Sequence, residues 1–100
     1  MQIACNQQII NYHHIPGGPQ PLVVLHGWGR SLSEWLFLGK DTSLLSTHSL
    51  FIIDLPGFGN SSTPTQPLSV YDYADIVKEF CKKLGVQNPD VLGHSFGGRL

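Results

Sequence analysis

The chain has 100 residues, 41% of them hydrophobic and 13% charged, with a formal net charge of −1. This balance is globular rather than disordered, and the length suffices for one small domain burying about two-thirds of the surface its unfolded form exposes. With Lys82-Lys83 the only adjacent basic pair, the sequence offers no field for nucleic acid or an anionic membrane surface.

Met1 to Gln8 has neither the basic nor the apolar segment of a signal peptide, and no apolar run approaches the roughly 18 residues of a membrane span. Cys5 and Cys81 lie far apart without metal-type spacing and read as two buried thiols rather than a disulfide. The expectation is a cytoplasmic protein with no metal, no cofactor and no membrane partner.

In chain order, residues 2–5 and 8–14 form a candidate hairpin around Asn6-Gln7, favoured by Ile9, Ile10 and Tyr12. Pro21 to Leu25 is a short, continuous apolar run ending at a glycine cluster, and Leu50 to Ile53 is another, ending at Asp54 and the turn signal Pro56-Gly57. Both fit strands covered on two faces, as in a parallel sheet. A first helix near residues 33–46 takes Trp35, Leu36, Leu38, Leu44 and Leu45 as its apolar set, weakened by Gly39.

Residues 60–68 read as a polar linking loop. The second helix follows, with Val70, Tyr73, Ala74, Val77, Phe80, Cys81 and Leu84 on one stripe. Ser69 is its N-cap, Asp72 stands at the third helical position, Leu68 and Tyr73 are placed as a staple, and Gly85 ends it. Val91-Leu92 leads into Gly93 as a third strand. Strand, helix, strand, helix, strand is the alternation of right-handed βαβ units, so the fold class is α/β: a mostly parallel sheet with helices on both faces. Residues 1–100 form one unit, a motif-bearing core over 21–100 preceded by the hairpin segment 1–20.

Gly93-His94-Ser95-Phe96-Gly97 fits G-x-S-x-G directly after a strand and before an expected helix. A serine at such a corner sits on a sharp, strained turn that lifts its Oγ clear of the backbone. Residues two before and two after it then lie against neighbouring backbone, where a Cβ would clash, and both are glycine. The bare pattern arises by chance in roughly 3% of chains this long, so its place after a strand carries much of the weight.

His26-Gly27-Trp28-Gly29 follows the first apolar strand, and loops at the carboxyl ends of parallel strands converge on one crevice. The backbone N–H groups of Trp28 and Phe96 can there form an oxyanion hole. Asp54, at the head of Asp54-Leu55-Pro56-Gly57-Phe58-Gly59-Asn60-Ser61, is expected to hold its turn by accepting local backbone N–H bonds rather than to act in catalysis. His26 is expected to brace the loop it begins; His13 and His14 are expected in solvent, and His48 on the wrong side of the sheet. The His94 ring, adjacent to Ser95 in sequence, is expected to diverge from its Oγ.

Together these three segments resemble the α/β-hydrolase fold superfamily, over residues 21–100 and plausibly from residue 2. The resemblance implies that Ser95 is the nucleophile and that Trp28 and Phe96 line the oxyanion hole through their backbones. It further implies a serine hydrolase of the carboxylesterase type, acting without cofactor on a small-molecule ester or related acyl substrate through an acyl-enzyme. Serine at the elbow argues against haloalkane dehalogenases and epoxide hydrolases, which attack through a carboxylate. An acyltransferase, a perhydrolase and a non-catalytic binding protein of the same fold remain alternatives. In this superfamily the acid and histidine of the triad follow the serine, whereas only Phe96 to Leu100 follow here. The expectation is the N-terminal part of a longer hydrolase, inactive by itself.

Overall fold

The computed structural model describes residues 1–100. Five strands form one sheet: β1 (Gln2–Cys5), β2 (Gln8–Ile15), β3 (Gln20–Leu25), β4 (His48–Ile53) and β5 (Asp90–Gly93), in spatial order β1-β2-β4-β3-β5. β1 with β2 and β2 with β4 are antiparallel, while β3 runs parallel to β4 on one side and β5 on the other. The sheet is therefore mixed, with its parallel half carrying the motif loops.

The hairpin turns at Asn6 and Gln7, whose φ angles of 47° and 69° are both positive. That is the backbone of a two-residue turn matched to strand twist. His14, expected in solvent, is instead half-buried and stacks on Phe51 of the neighbouring strand with ring centroids 4.4 Å apart. Pairing of β2 with β4 moves it there, and no local pattern announces that pairing.

The apolar runs of β3 and β4 are buried on both faces, as continuous apolar strands require. Side-chain alternation divides them. Val23, Leu25 and Ile53 join Cys5, Ile10, Tyr12 and the second helix in one core, while Leu22, Val24, Leu50 and Ile52 build a smaller one on the opposite face.

The single first helix is corrected by the structure. A 3-10 segment covers Leu32–Lys40, and a separate short helix, α1, spans Thr42–Thr47. Asp41 makes the break: its N–H donates to Leu38 O and its carboxylate accepts from Leu44 N at 3.0 Å, ending one element and capping the next. Trp35, Leu38, Leu44 and Leu45 cover the smaller core as expected, but Leu36 points largely to solvent and Leu32 is the buried residue.

On the other face α2 (Val70–Leu84) follows the sequence closely. Ser69 Oγ accepts from Asp72 N at 3.1 Å, the Asp72 carboxylate accepts from Ser69 N at 2.8 Å, and Gly85 closes the helix. Its deepest side chains are Tyr73, Ile76 and Phe80, so the buried stripe centres on Ile76 and leaves Val70 at the edge. Phe80 meets Tyr12 edge to face at 5.1 Å. No helix is long and apolar enough to cross a membrane.

Candidate active site

Because β3, β4 and β5 are parallel, the segments leaving them emerge at one end of the sheet. These are the loops beginning at His26, Asp54 and His94, the three that carry the motifs. His48 lies at the other end, where its Nε2 meets Asp90 Oδ2 at 2.8 Å across the amino ends of β4 and β5.

Ser95 stands one residue beyond the end of β5, after His94, with φ of +54°, a left-handed conformation unusual for a residue bearing a Cβ. Such backbone costs of order 1–3 kcal/mol and persists only where the surroundings over-determine it. They do so here. A Cβ on Gly93 would come within 2.5 Å of Gly98 Cα, and one on Gly97 would overlap Leu25 O and stand 2.7 Å from His26 O. The chain thus folds back on itself on one side and presses against the end of β3 on the other. His94 N donates to Leu25 O at 3.0 Å, fastening the corner to that strand. After Ser95 the backbone continues as a short 3-10 turn, Ser95–Arg99, in place of the expected α-helix opening.

The loop after β3 lies directly against this corner. A Cβ on Gly27 would sit 3.2 Å from His94 Nδ1 and 3.5 Å from Ser95 Cβ. Neither the Trp28 N–H nor the Phe96 N–H donates to any acceptor within the chain. The Trp28 indole packs edge to face on Phe96 at 5.1 Å and on Phe58 at 4.9 Å, and Phe96 in turn meets Tyr73 at 5.1 Å. Trp28 and Phe96, far apart in sequence, are therefore neighbours beside Ser95.

Two buried polar residues hold the loops. His26 is fully buried; its Nε2 accepts from Leu55 N at 2.9 Å, so Nδ1 carries the proton and donates to Gly27 O at 2.7 Å. Asp54, 2% exposed, accepts from Leu32 N (2.8 Å), Asn60 N (2.9 Å) and Asn11 Nδ2 (2.9 Å). Both act as braces, as expected of them, joining the loop after β3 to the loop after β4. Asn11 and Leu55 carried no sequence signal for this duty, since each contributes through a partner remote in the chain. None of the five histidines hydrogen-bonds Ser95 Oγ, and no group of three or more His, Cys, Asp or Glu side chains is placed to hold a metal ion.

A family model described as alpha/beta hydrolase fold matches residues 20–100. The chain belongs to the α/β-hydrolase fold family. Among its relatives in that family, the soluble epoxide hydrolase of a Corynebacterium species is 33% identical over 103 residues, covering 99% of this chain and 35% of that protein. The (lyso)-N-acylphosphatidylethanolamine lipase of Bos taurus is 36% identical over 84 residues, covering 80% of this chain and 24% of the lipase. The solved structure of epoxide hydrolase CorEH without ligand superposes with a TM-score of 0.88 at 32% identity, over 98% of this chain and 34% of that one. The chain thus spans about a quarter to a third of the length of these relatives.

Proposed function

We propose that the protein is a serine hydrolase that cleaves an ester or related acyl bond, with Ser95 as nucleophile. The observation that carries this reading is the Ser95 corner itself: left-handed backbone locked by Gly93 and Gly97, beside two unspent N–H groups. Ser95 Oγ forms a bond to the acyl carbon while the carbonyl oxygen gains negative charge, held by the N–H groups of Trp28 and Phe96. Collapse of this intermediate breaks the bond to the alcohol, which leaves with a proton. Water then cleaves the acyl-enzyme and restores Ser95.

The serine proton needs a base. His26 has both ring nitrogens engaged in bracing, and His48 stands at the far end of the sheet. We therefore assign the base and its acid partner to residues outside this segment, in keeping with the greater length of its relatives. The likeness to epoxide hydrolases extends over the shared scaffold, but a hydroxyl at the elbow favours acyl chemistry over attack by a carboxylate.

The test is to treat the complete protein with a fluorophosphonate probe and map the adduct. Modification of Ser95, absent in Ser95→Ala, is expected; no adduct on Ser95 refutes the reading. The 100-residue chain alone is expected to show no turnover of p-nitrophenyl acetate, and turnover dependent on Ser95 would overturn the assignment of the base.

A further inference from the structure

His26 is wholly buried and Gly27 beside it is buried too, yet the next residue, Trp28, is 63% exposed. The chain therefore passes from interior to surface across one peptide unit, the one joining Gly27 to Trp28. That unit holds the Gly27 carbonyl and the Trp28 N–H, and in a trans peptide these two groups point in opposite directions. Whatever fixes the carbonyl thereby aims the N–H.

Two donors fix it. His26 Nδ1 donates to Gly27 O at 2.7 Å, and Arg30 N donates to the same oxygen at 3.1 Å, closing a turn whose third residue, Gly29, takes a φ of +75°. The carbonyl is thus held on the side of buried His26, and the Trp28 N–H is turned outward. Gly27 itself packs on the Ser95 corner, where a Cβ on it would stand 3.5 Å from Ser95 Cβ. The same peptide turned over would present the Gly27 carbonyl oxygen in place of the N–H, and that oxygen repels the negative charge developing on an acyl oxygen. The direction of this one peptide decides whether its side of the site attracts or repels an oxyanion.

The His26 ring donates from Nδ1 in only one neutral tautomer. Leu55 N selects it, because its N–H at 2.9 Å finds an acceptor in Nε2 only while that nitrogen carries no proton. Moving the proton from Nδ1 to Nε2 would break both bonds at once. Phe58 lies edge to face on the imidazole at 5.6 Å and on the Trp28 indole at 4.9 Å, so ring and loop share one support.

We propose that His26 is a positioning residue for the reaction: its Nδ1–H tautomer holds the Gly27–Trp28 peptide with the N–H toward the oxyanion. The loop leaving β4, through Leu55 N, thus sets the polarity of a site built by the loop leaving β3. The proposal rests on the serine-hydrolase reading above and adds to it a residue that acts through the backbone.

The experiment uses the complete protein, p-nitrophenyl acetate and a fluorophosphonate, with two substitutions that divide the relay. The amide of His26→Asn reaches the place of Nδ1 and keeps the bond to Gly27 O. That of His26→Gln reaches the place of Nε2 and keeps the bond from Leu55 N. His26→Gln is expected to lower kcat and the labelling rate by about a hundredfold, the scale of a lost oxyanion donor, with little change in KM. His26→Asn is expected to recover about tenfold of that loss in kcat, although both variants lower the urea midpoint. A purely structural brace predicts instead that kcat follows the midpoint, and equal losses in the two variants overturn the proposal. Imidazole nitrogen NMR resonances of the unsubstituted protein give a readout that needs no variant to fold. A proton on Nδ1 and none on Nε2 is expected at the pH of activity; a proton on Nε2 overturns the proposal. No Ser95 adduct in the unsubstituted protein overturns the hydrolase reading and this role with it. An adduct together with either contrary result overturns the role alone.

Discussion

Asp54 is the residue whose removal tests the architecture of the site most directly. Its two carboxylate oxygens take three donors, Leu32 N, Asn60 N and Asn11 Nδ2, all within 2.8–2.9 Å. Alanine at this position leaves all three without an acceptor. A buried donor stripped of its partner costs about 1–3 kcal/mol. Leu32 N is buried and carries the full penalty; Asn60 N and Asn11 Nδ2 are part-buried and recover some of theirs from water. The sum for Asp54→Ala is about 3–5 kcal/mol, a large share of the roughly 5–15 kcal/mol that holds an ordinary domain together. Asp54→Asn keeps the shape and one acceptor oxygen but turns an amide N–H₂ toward N–H donors, so its loss falls between wild type and alanine. The assay is urea unfolding of the complete protein, read as a shift in midpoint at unchanged slope. A loss below about 1 kcal/mol for Asp54→Ala would show that the carboxylate does not hold these loops.

Two further outcomes follow from the same geometry. A methyl group added at Gly27 meets the His94 ring at 3.2 Å but finds only ordinary contacts, 3.4 Å and beyond, at His94 O and Ser95 Cβ. Gly27→Ala is therefore expected to slow fluorophosphonate labelling several-fold, and Gly27→Ala/His94→Ala to recover much of that rate; additive losses would show that the two positions are independent. Burial pushes the thiols of Cys5 and Cys81 and the Tyr73 phenol up from their ordinary values, in Cys5 against the lowering influence of the Lys83 ammonium. Native protein then holds protons that unfolded protein releases above about pH 9, so these groups lend full stability below that pH and lose it as pH rises further. Urea midpoints should fall between pH 8.5 and 10.5, and a midpoint that rises over this interval would contradict the assignment.

Much of this protein was settled by local chemistry. The Ser69–Asp72 capping pair, the apolar stripe ahead of Gly85 and the two continuous apolar strands each state their structure within a few residues, because capping, periodicity and turn formation act over that range. The break at Asp41 was not read from the sequence, because it depended on competition between two adjacent helical turns that no periodicity resolves. His14 illustrates the limit more sharply, since its stacking on Phe51 exists only because β2 pairs with β4.

The same division runs through the site. The Gly-x-Ser-x-Gly corner and the glycine loop at residues 26–29 were recognisable alone, since strained backbone and close approach demand particular residue types. Their meeting was not, nor were the bonds from His26 to Leu55 and from Asp54 to Asn11 and Leu32, which join residues 22 to 43 positions apart. Parallel pairing of β3, β4 and β5 decided those contacts, by delivering three separate loops to one end of one sheet. Sequence determined which residues were fit for such a place; only the sheet determined that the place exists.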